Sequence, residues 1–167
     1  MTNDNAPGEA NGTRIAVRRA AETDFPELKR ILRETFESTW RPEITEDATR
    51  RYLETDIGGR FIDEQGLRFL VAVIDGEVAG LVNWQDDFID ALHVSSRHQR
   101  LGVGRALMDE AEKAIRAAGQ TQVRLETDSF NERSQAFYKT LGYEEKDRYP
   151  DLEWDSDLTT VLFEKKF

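Results

Sequence analysis

At 167 residues the chain is long enough to bury one hydrophobic core. Its 33 acidic against 23 basic side chains, a formal net charge of −10, argue against a general nucleic-acid binder and mildly favour a cationic partner. The absence of cysteine excludes disulfides, thiolate nucleophiles and zinc–thiolate sites, and no apolar run is long enough to cross a membrane.

Residues Met1 to about Gly12 hold almost no large apolar group and read as a disordered tail, leaving residues 13–167 as one domain. Ile15 and Val17 alternate with polar neighbours as a first strand. Thr23 or Asp24 then caps a helix with Pro26 in its first turn, which runs to about Phe36 and buries Leu28, Ile31, Leu32 and Phe36. Ser38 to Pro42 reads as a loop. A second helix is expected from Thr45 or Glu46 to Ile57, stopped by Gly58-Gly59. From Leu67 the period becomes two: Leu67 to Ile74 and Val78 to Trp84, joined by Asp75-Gly76, predict a hairpin. A turn at Gln85-Asp86-Asp87 leads to a strand ending at Val94. A helix from about Gly102 to Ala118 ends at Gly119, and Val123 to Thr127 alternates as a strand. A helix from Glu132 or Arg133 to Leu141 stops at Gly142, and Tyr143 to Tyr149 and Thr159 to Lys165 form a last pair. The order is mixed α/β.

Between the strand ending at Val94 and the following helix stands Gln99-Arg100-Leu101-Gly102-Val103-Gly104. Glycines at a helix start let a ligand approach the backbone, and the first turn's N–H groups have no intrahelical partner, so the stretch suits phosphate. It is not a P-loop, which needs Gly-x-x-x-x-Gly-Lys-Ser/Thr, and Leu107 stands where the dinucleotide fingerprint needs its third glycine. The loop does fit Gln/Arg-x-x-Gly-x-Gly/Ala and resembles the acetyl-CoA pyrophosphate loop of the GNAT superfamily of N-acetyltransferases. A second stretch, Leu125-x-Thr127-x-x-x-Asn131-x-x-Ser134-x-x-Phe137-Tyr138-x-x-x-Gly142-Tyr143, differs from that family's pattern by conservative swaps only.

The resemblance implies a twisted, mostly antiparallel sheet of about seven strands with about four helices. Strands 4 and 5 would splay into a V that admits the pantetheine arm of acetyl-CoA along the backbone of Leu92, His93 and Val94. It further implies that pyrophosphate sits on the loop Gln99, Arg100, Leu101, Gly102, Val103, Gly104 and Arg105, with Arg97, Arg100 or Arg105 screening it. Asn131 would contact the pantetheine arm, although an asparagine before a helix is as readily its cap. Tyr138 would stand by the thioester sulfur and protonate the departing thiolate, and backbone N–H near Val94 would meet the oxyanion.

An amine of pKa about 10.4 is only about 0.04% neutral at pH 7, a handicap of about 4.6 kcal/mol that a positioned base reduces. Glu126 resembles the base glutamate of ribosomal-protein N-terminal alanine acetyltransferases, yet it also reads as half of a solvated pair with Arg124. Asp90, in step with Leu92 and Val94, is the rival, and Asp86 and Asp87 are weaker because they lie in a turn. His93 has the opposite parity and reads as structural. Only His93 and His98 are imidazoles, five apart, so no metal is expected. Trp40, Trp84, Tyr149 and Trp154 with Asp86, Asp87, Asp151, Glu153, Asp155 and Asp157 are candidates for an aromatic, acidic mouth that takes a cation.

The expected activity is direct acetyl transfer from acetyl-CoA to a primary amine, on a small molecule or a peptide N-terminus, in a cytoplasmic enzyme with no nucleic-acid or membrane partner. A homodimer stays open, since dimers are frequent in the family. The rival readings are a catalytically silent acyl-CoA-binding regulator and, third, a nucleic-acid-binding role.

Overall fold

The computed structural model describes residues 14–167, so the predicted tail at 1–12 lies outside the described residues. Seven strands form one sheet: β1 (Ala16–Arg19), β2 (Leu70–Ile74), β3 (Glu77–Gln85), β4 (Phe88–Val94), β5 (Gln122–Asp128), β6 (Glu144–Pro150) and β7 (Thr159–Lys166), in the order β1-β2-β3-β4-β5-β7-β6. Every neighbouring pair is antiparallel except β4 and β5. The β2–β3 hairpin closes as predicted on Asp75 and Gly76, both at positive φ (50° and 78°), the geometry whose twist matches the flanking strands.

The helices cover the sheet unequally. On one face α1 (Phe25–Thr35) and α3 (Ile57–Gln65) bury Leu28, Ile31, Leu32 and Ile62 against Val71, Leu81 and Ala91. On the other, α4 (Val103–Ala117) and α5 (Glu132–Thr140) bury Leu107, Met108, Ile115 and Tyr138 against Val82, Leu125, Val161 and Phe163. Val123 and Leu125 face α4 and α5, so the alternation of β5 turns Arg124, Glu126 and Asp128 toward the α1 face.

Three departures from the sequence reading shape the molecule. The expected loop after Phe36 is a π turn, Phe36–Trp40, closed by the Arg41 N–H to the Phe36 carbonyl at 2.9 Å. The expected second helix is two: α2 (Glu46–Glu54) and α3, hinged at Asp56 with φ of 47°, making five α-helices among the described residues. Gly58 and Gly59 sit inside α3 rather than ending a helix. A Cβ on Gly58 would clash with Tyr52 Oη, so α2 and α3 meet there more closely than a side chain allows, and one on Gly59 would clash with the carboxylate of Asp56 at the hinge. Third, Leu67 belongs to a single helical turn before β2, not to the strand.

Among the described residues no helix is long and apolar enough to cross a membrane.

Candidate active site

The strand pair at the centre of the sheet is incomplete. β4 and β5 pair in parallel only at Phe88 with Arg124 and Ile89 with Leu125. Arg124 reinforces this closed end: its guanidinium meets the Asp87 carboxylate through two hydrogen bonds of 2.9 Å, and Gln122 adds a third at 3.1 Å. That pairing holds Asp87 well below the usual carboxylate range, and it corrects two expectations, the Arg124–Glu126 pair and a place for Asp87 in the mouth. Beyond Ile89 the strands part, and a cleft of about 1350 Å³ opens there, bordered by both.

A bulge lies where the strands begin to part. Asn83 pairs with Ala91 and Trp84 with Ile89, leaving Asp90 as the extra residue. Ile89, Leu92 and Val94 pack with the α4 core, whereas Ala91 packs with the α1 core, so the alternation of β4 that set the predicted parity of Asp90 is broken at that residue, which belongs to neither core. Asp90 is exposed at the edge of the cleft, with burial of its surroundings raising its pKa. His93 follows Ala91 onto the α1 face, where its ring stands edge-on to Trp40 at 6.0 Å between centroids. Desolvation pushes its pKa down to about 4, so it is neutral at pH 7.

On the α4 side, the predicted loop turns on two left-handed residues, Arg100 (φ 61°) and Gly102 (φ 86°). Gly102 is the N-cap of α4 and no side chain caps that helix, so the amides of its first turn are left for something else. A side chain added at Gly102 would find only Ile15 within 4 Å, which leaves the backbone approachable. Gly104 packs beneath the Phe137 ring, whose Cζ would lie 3.0 Å from an added Cβ. Arg100 and Arg105 are exposed at the rim of the cleft, and Arg97 does not reach it. The Gln99 side chain donates to the Val94 carbonyl at 2.9 Å and so locks the end of β4, while Leu101 and Val103 lie on the exposed and the buried side of the turn.

Asn131 is the N-cap of α5, its Oδ1 accepting from the Ser134 N–H at 3.1 Å; the side chain borders the cleft, with only its amide nitrogen left to offer. Thr127 and Ser134 hydroxyls join β5 to α5 at 2.9 Å. One turn on, Tyr138 is both a core aromatic, packed on Phe137 and Tyr143, and a wall of the cleft. Burial raises its pKa, with the Ser134 hydroxyl opposing more weakly, so the phenol keeps its proton throughout the neutral range.

On the α1 side the wall is aromatic and acidic. The π turn brings Trp40 across to β5, where its indole N–H donates to Asp128 Oδ2 at 2.8 Å. Trp40 and Tyr52 flank Trp154 at 6.0 and 5.5 Å, and Tyr52 stacks on Phe36 at 3.9 Å. Glu126, exposed on β5, accepts from the Tyr149 hydroxyl, and desolvation, followed by that bond, pushes the phenol up to about 12. Asp128 and Glu153 are both raised by desolvation and by their acidic neighbours. Of the predicted mouth, Trp40, Trp154, Asp151 and Glu153 border the cleft. Trp84 packs against the α4 core, and Asp86, Asp155 and Asp157 occupy exposed left-handed turns outside the cleft. The sequence reading missed Tyr52, Asn83 and Asp128. For Asp128 a signal existed: the Arg124, Glu126 alternation carried one residue past Thr127.

Comparison with known proteins agrees with this architecture. A protein 27% identical over 146 residues, covering 78% of this chain and 84% of its own length, is the uncharacterized N-acetyltransferase of the pepI 3′ region of Lactobacillus delbrueckii subsp. lactis. The fold is shared with the PaiA N-acetyltransferase of Thermoplasma acidophilum in complex with coenzyme A (TM-score 0.76, 20% identity, 92% of this chain and 99% of that one). It is shared too with YncA of Salmonella typhimurium with its cofactor acetyl-CoA (TM-score 0.71, 20% identity, 92% and 94%). The model of the acetyltransferase (GNAT) family matches residues 25–143, which include the parted strands, the glycine loop and Tyr138, and the chain therefore belongs to the acetyltransferase (GNAT) family.

Proposed function

We propose that this enzyme moves an acetyl group from acetyl-CoA directly to a primary amine while both are bound. The observation that carries the reading is the gap between β4 and β5, because its two openings differ in kind. Toward α4 it offers uncapped helix amides and a neutral phenol, and toward α1 it offers carboxylates and aromatic rings. Two proteins of like fold have coenzyme A or acetyl-CoA bound, which supports the choice of donor. The absence of cysteine leaves no thiol to carry the acetyl group between two half-reactions, which favours direct transfer.

Acetyl-CoA supplies an activated carbonyl and a thiolate leaving group. In this reading the amides at the start of α4 receive the diphosphate, with Arg100 and Arg105 at the rim screening its charge. The unpaired edge of β4 from Leu92 to Val94 aligns the pantetheine arm. A carboxylate on the α1 side, Glu126, Asp90 or Asp128, directly or through water, takes the ammonium proton. The freed amine then attacks the carbonyl carbon, backbone N–H near Val94 meets the charge that develops on oxygen, and the carbon–sulfur bond breaks as Tyr138 protonates the sulfur and regains a proton from the one that the new amide nitrogen gives up. The acceptor amine belongs to a small molecule or a peptide N-terminus.

The test is calorimetric titration with acetyl-CoA followed by thiol-release assays over amines and N-terminal peptides. Binding with thiol release is expected. Indifference to coenzyme A derivatives at millimolar concentration would reject the reading.

A further inference from the structure

The α1 wall of the cleft carries more negative charge than the removal of one proton needs. Asp128, Asp151, Glu153 and Glu126 all border the cleft, and among the described residues no lysine or arginine forms a salt bridge with any of them. Asp128 and Glu126 accept from the neutral donors Trp40 and Tyr149, so neither carboxyl group is matched by a cation there. Beside them Trp40, Tyr52 and Trp154 pack on one another and border the same cleft, and aromatic rings attract a cation.

An independent feature borders the same cleft. Asn83 is 3% exposed and its side-chain oxygen has no hydrogen-bond partner. It pairs in the sheet with Ala91 beside the bulge, so an acceptor atom without a donor lies next to the point where the strands part. A buried acceptor left unpaired is unfavourable, and an incoming N–H relieves it.

We propose that the acetyl acceptor is an amine bearing a second positively charged centre. The reacting nitrogen reaches the gap near the Asn83 oxygen, and the distal cation rests on the rings of Trp40, Tyr52 and Trp154 beside Asp128 and Glu153. This rests on the acetyl transfer proposed above and narrows its acceptor. The charge on the wall then selects for the second cation, because a monoamine of the same length leaves those carboxylates facing one another uncompensated.

The test compares matched acceptors in a thiol-release assay with acetyl-CoA: 1,5-diaminopentane against 1-aminopentane, and an N-terminal peptide with lysine against the same peptide with norleucine. The first pair reports a free diamine and the second a basic peptide. In at least one pair the dication should have a kcat/KM higher by about thirtyfold, the scale of a desolvated cation on an aromatic wall. Glu153→Gln should bring the ratio down about tenfold, with Asp155→Asn, outside the cleft, keeping the wild-type ratio. Equal kcat/KM in both pairs, or a ratio untouched by Glu153→Gln, overturns the inference and leaves acetyl transfer standing. Tryptophan fluorescence without acyl donor separates the two failures. A saturable change with a dication and none with its monoamine supports the wall as a cation site even where no transfer occurs, and no change with either overturns it.

Discussion

The two sides of the cleft are built in different ways. On the α4 side the groups at the gap come from short stretches of chain: the loop from Gln99 to Arg105 opens its own helix, and Asn131 caps the helix that carries Tyr138 seven residues on. On the α1 side the wall is assembled across the fold. Trp40 meets Asp128 over 88 residues, Arg51 meets the Trp154 carbonyl over 103, and Thr45 meets Ser156 over 111. Backbone amides and one phenol suit a ligand part that is the same for every acetyl transfer, whereas side chains drawn from distant segments can vary without disturbing it. In the proposed reaction that division falls between holding the acetyl donor and recognising the acceptor.

That contrast can be broken most sharply at Tyr138. Removing its hydroxyl in Tyr138→Phe should lower turnover by about a hundredfold, in the range of a lost general acid, with the acetyl-CoA dissociation constant within about twofold by calorimetry. Unaltered turnover would make the residue a core aromatic only, and the α4 side would then supply binding without chemistry.

Gly80 tests whether the two sides share one scaffold. A Cβ there would lie 2.8 Å from the His93 carbonyl oxygen and 2.9 Å from Val103 Cγ1, where β3, β4 and α4 converge. Gly80→Ala should reduce stability by about 2 kcal/mol in urea denaturation, an overpacking effect against backbone that cannot retreat. A loss below about 0.5 kcal/mol would mean that β4 shifts freely and that the gap is adjustable.

The smallest expected effect is at the closed end of the gap. Asp87→Asn removes the carboxylate that Arg124 grips, and because the Arg124 side chain is 39% exposed the loss should be about 1 kcal/mol at pH 7. The Asp87 pKa is lower in the folded than in the unfolded chain, so this stability is complete above the unfolded value, about 3.9, and fades as pH falls through the lowered folded value. The difference between the two proteins in thermal denaturation should therefore shrink in acid. A difference constant down to pH 2 would remove the ion pair as its source.

How much of this was readable from residues follows the same division. The helix start at Thr45 or Glu46, the cap at Asn131, the hairpin at Asp75-Gly76 and the loop before α4 were legible because each is settled within about one turn of chain. The π turn was not, since its apolar residues also fit an ordinary helix end, and its reach to Asp128 depends on a strand far away. Gly58-Gly59 misled because glycine after a helical stretch usually ends it; here the same lack of side chain serves close packing against Tyr52 and Asp56. The bulge at Asp90 left no mark, because an extra residue in a strand is defined only by what its partner strand does.

Residue pattern alone was enough for the mixed α/β order, the glycine turn that opens α4 and the position of Tyr138 in its motif, all consequences of backbone geometry over a few neighbouring residues. Which carboxylates and rings face the gap was decided by the folded chain. Burial, charge and hydrogen bonding at Trp40, Asn83, Asp128 and Glu153 are properties of what surrounds them, and those surroundings come from segments that only packing brings together.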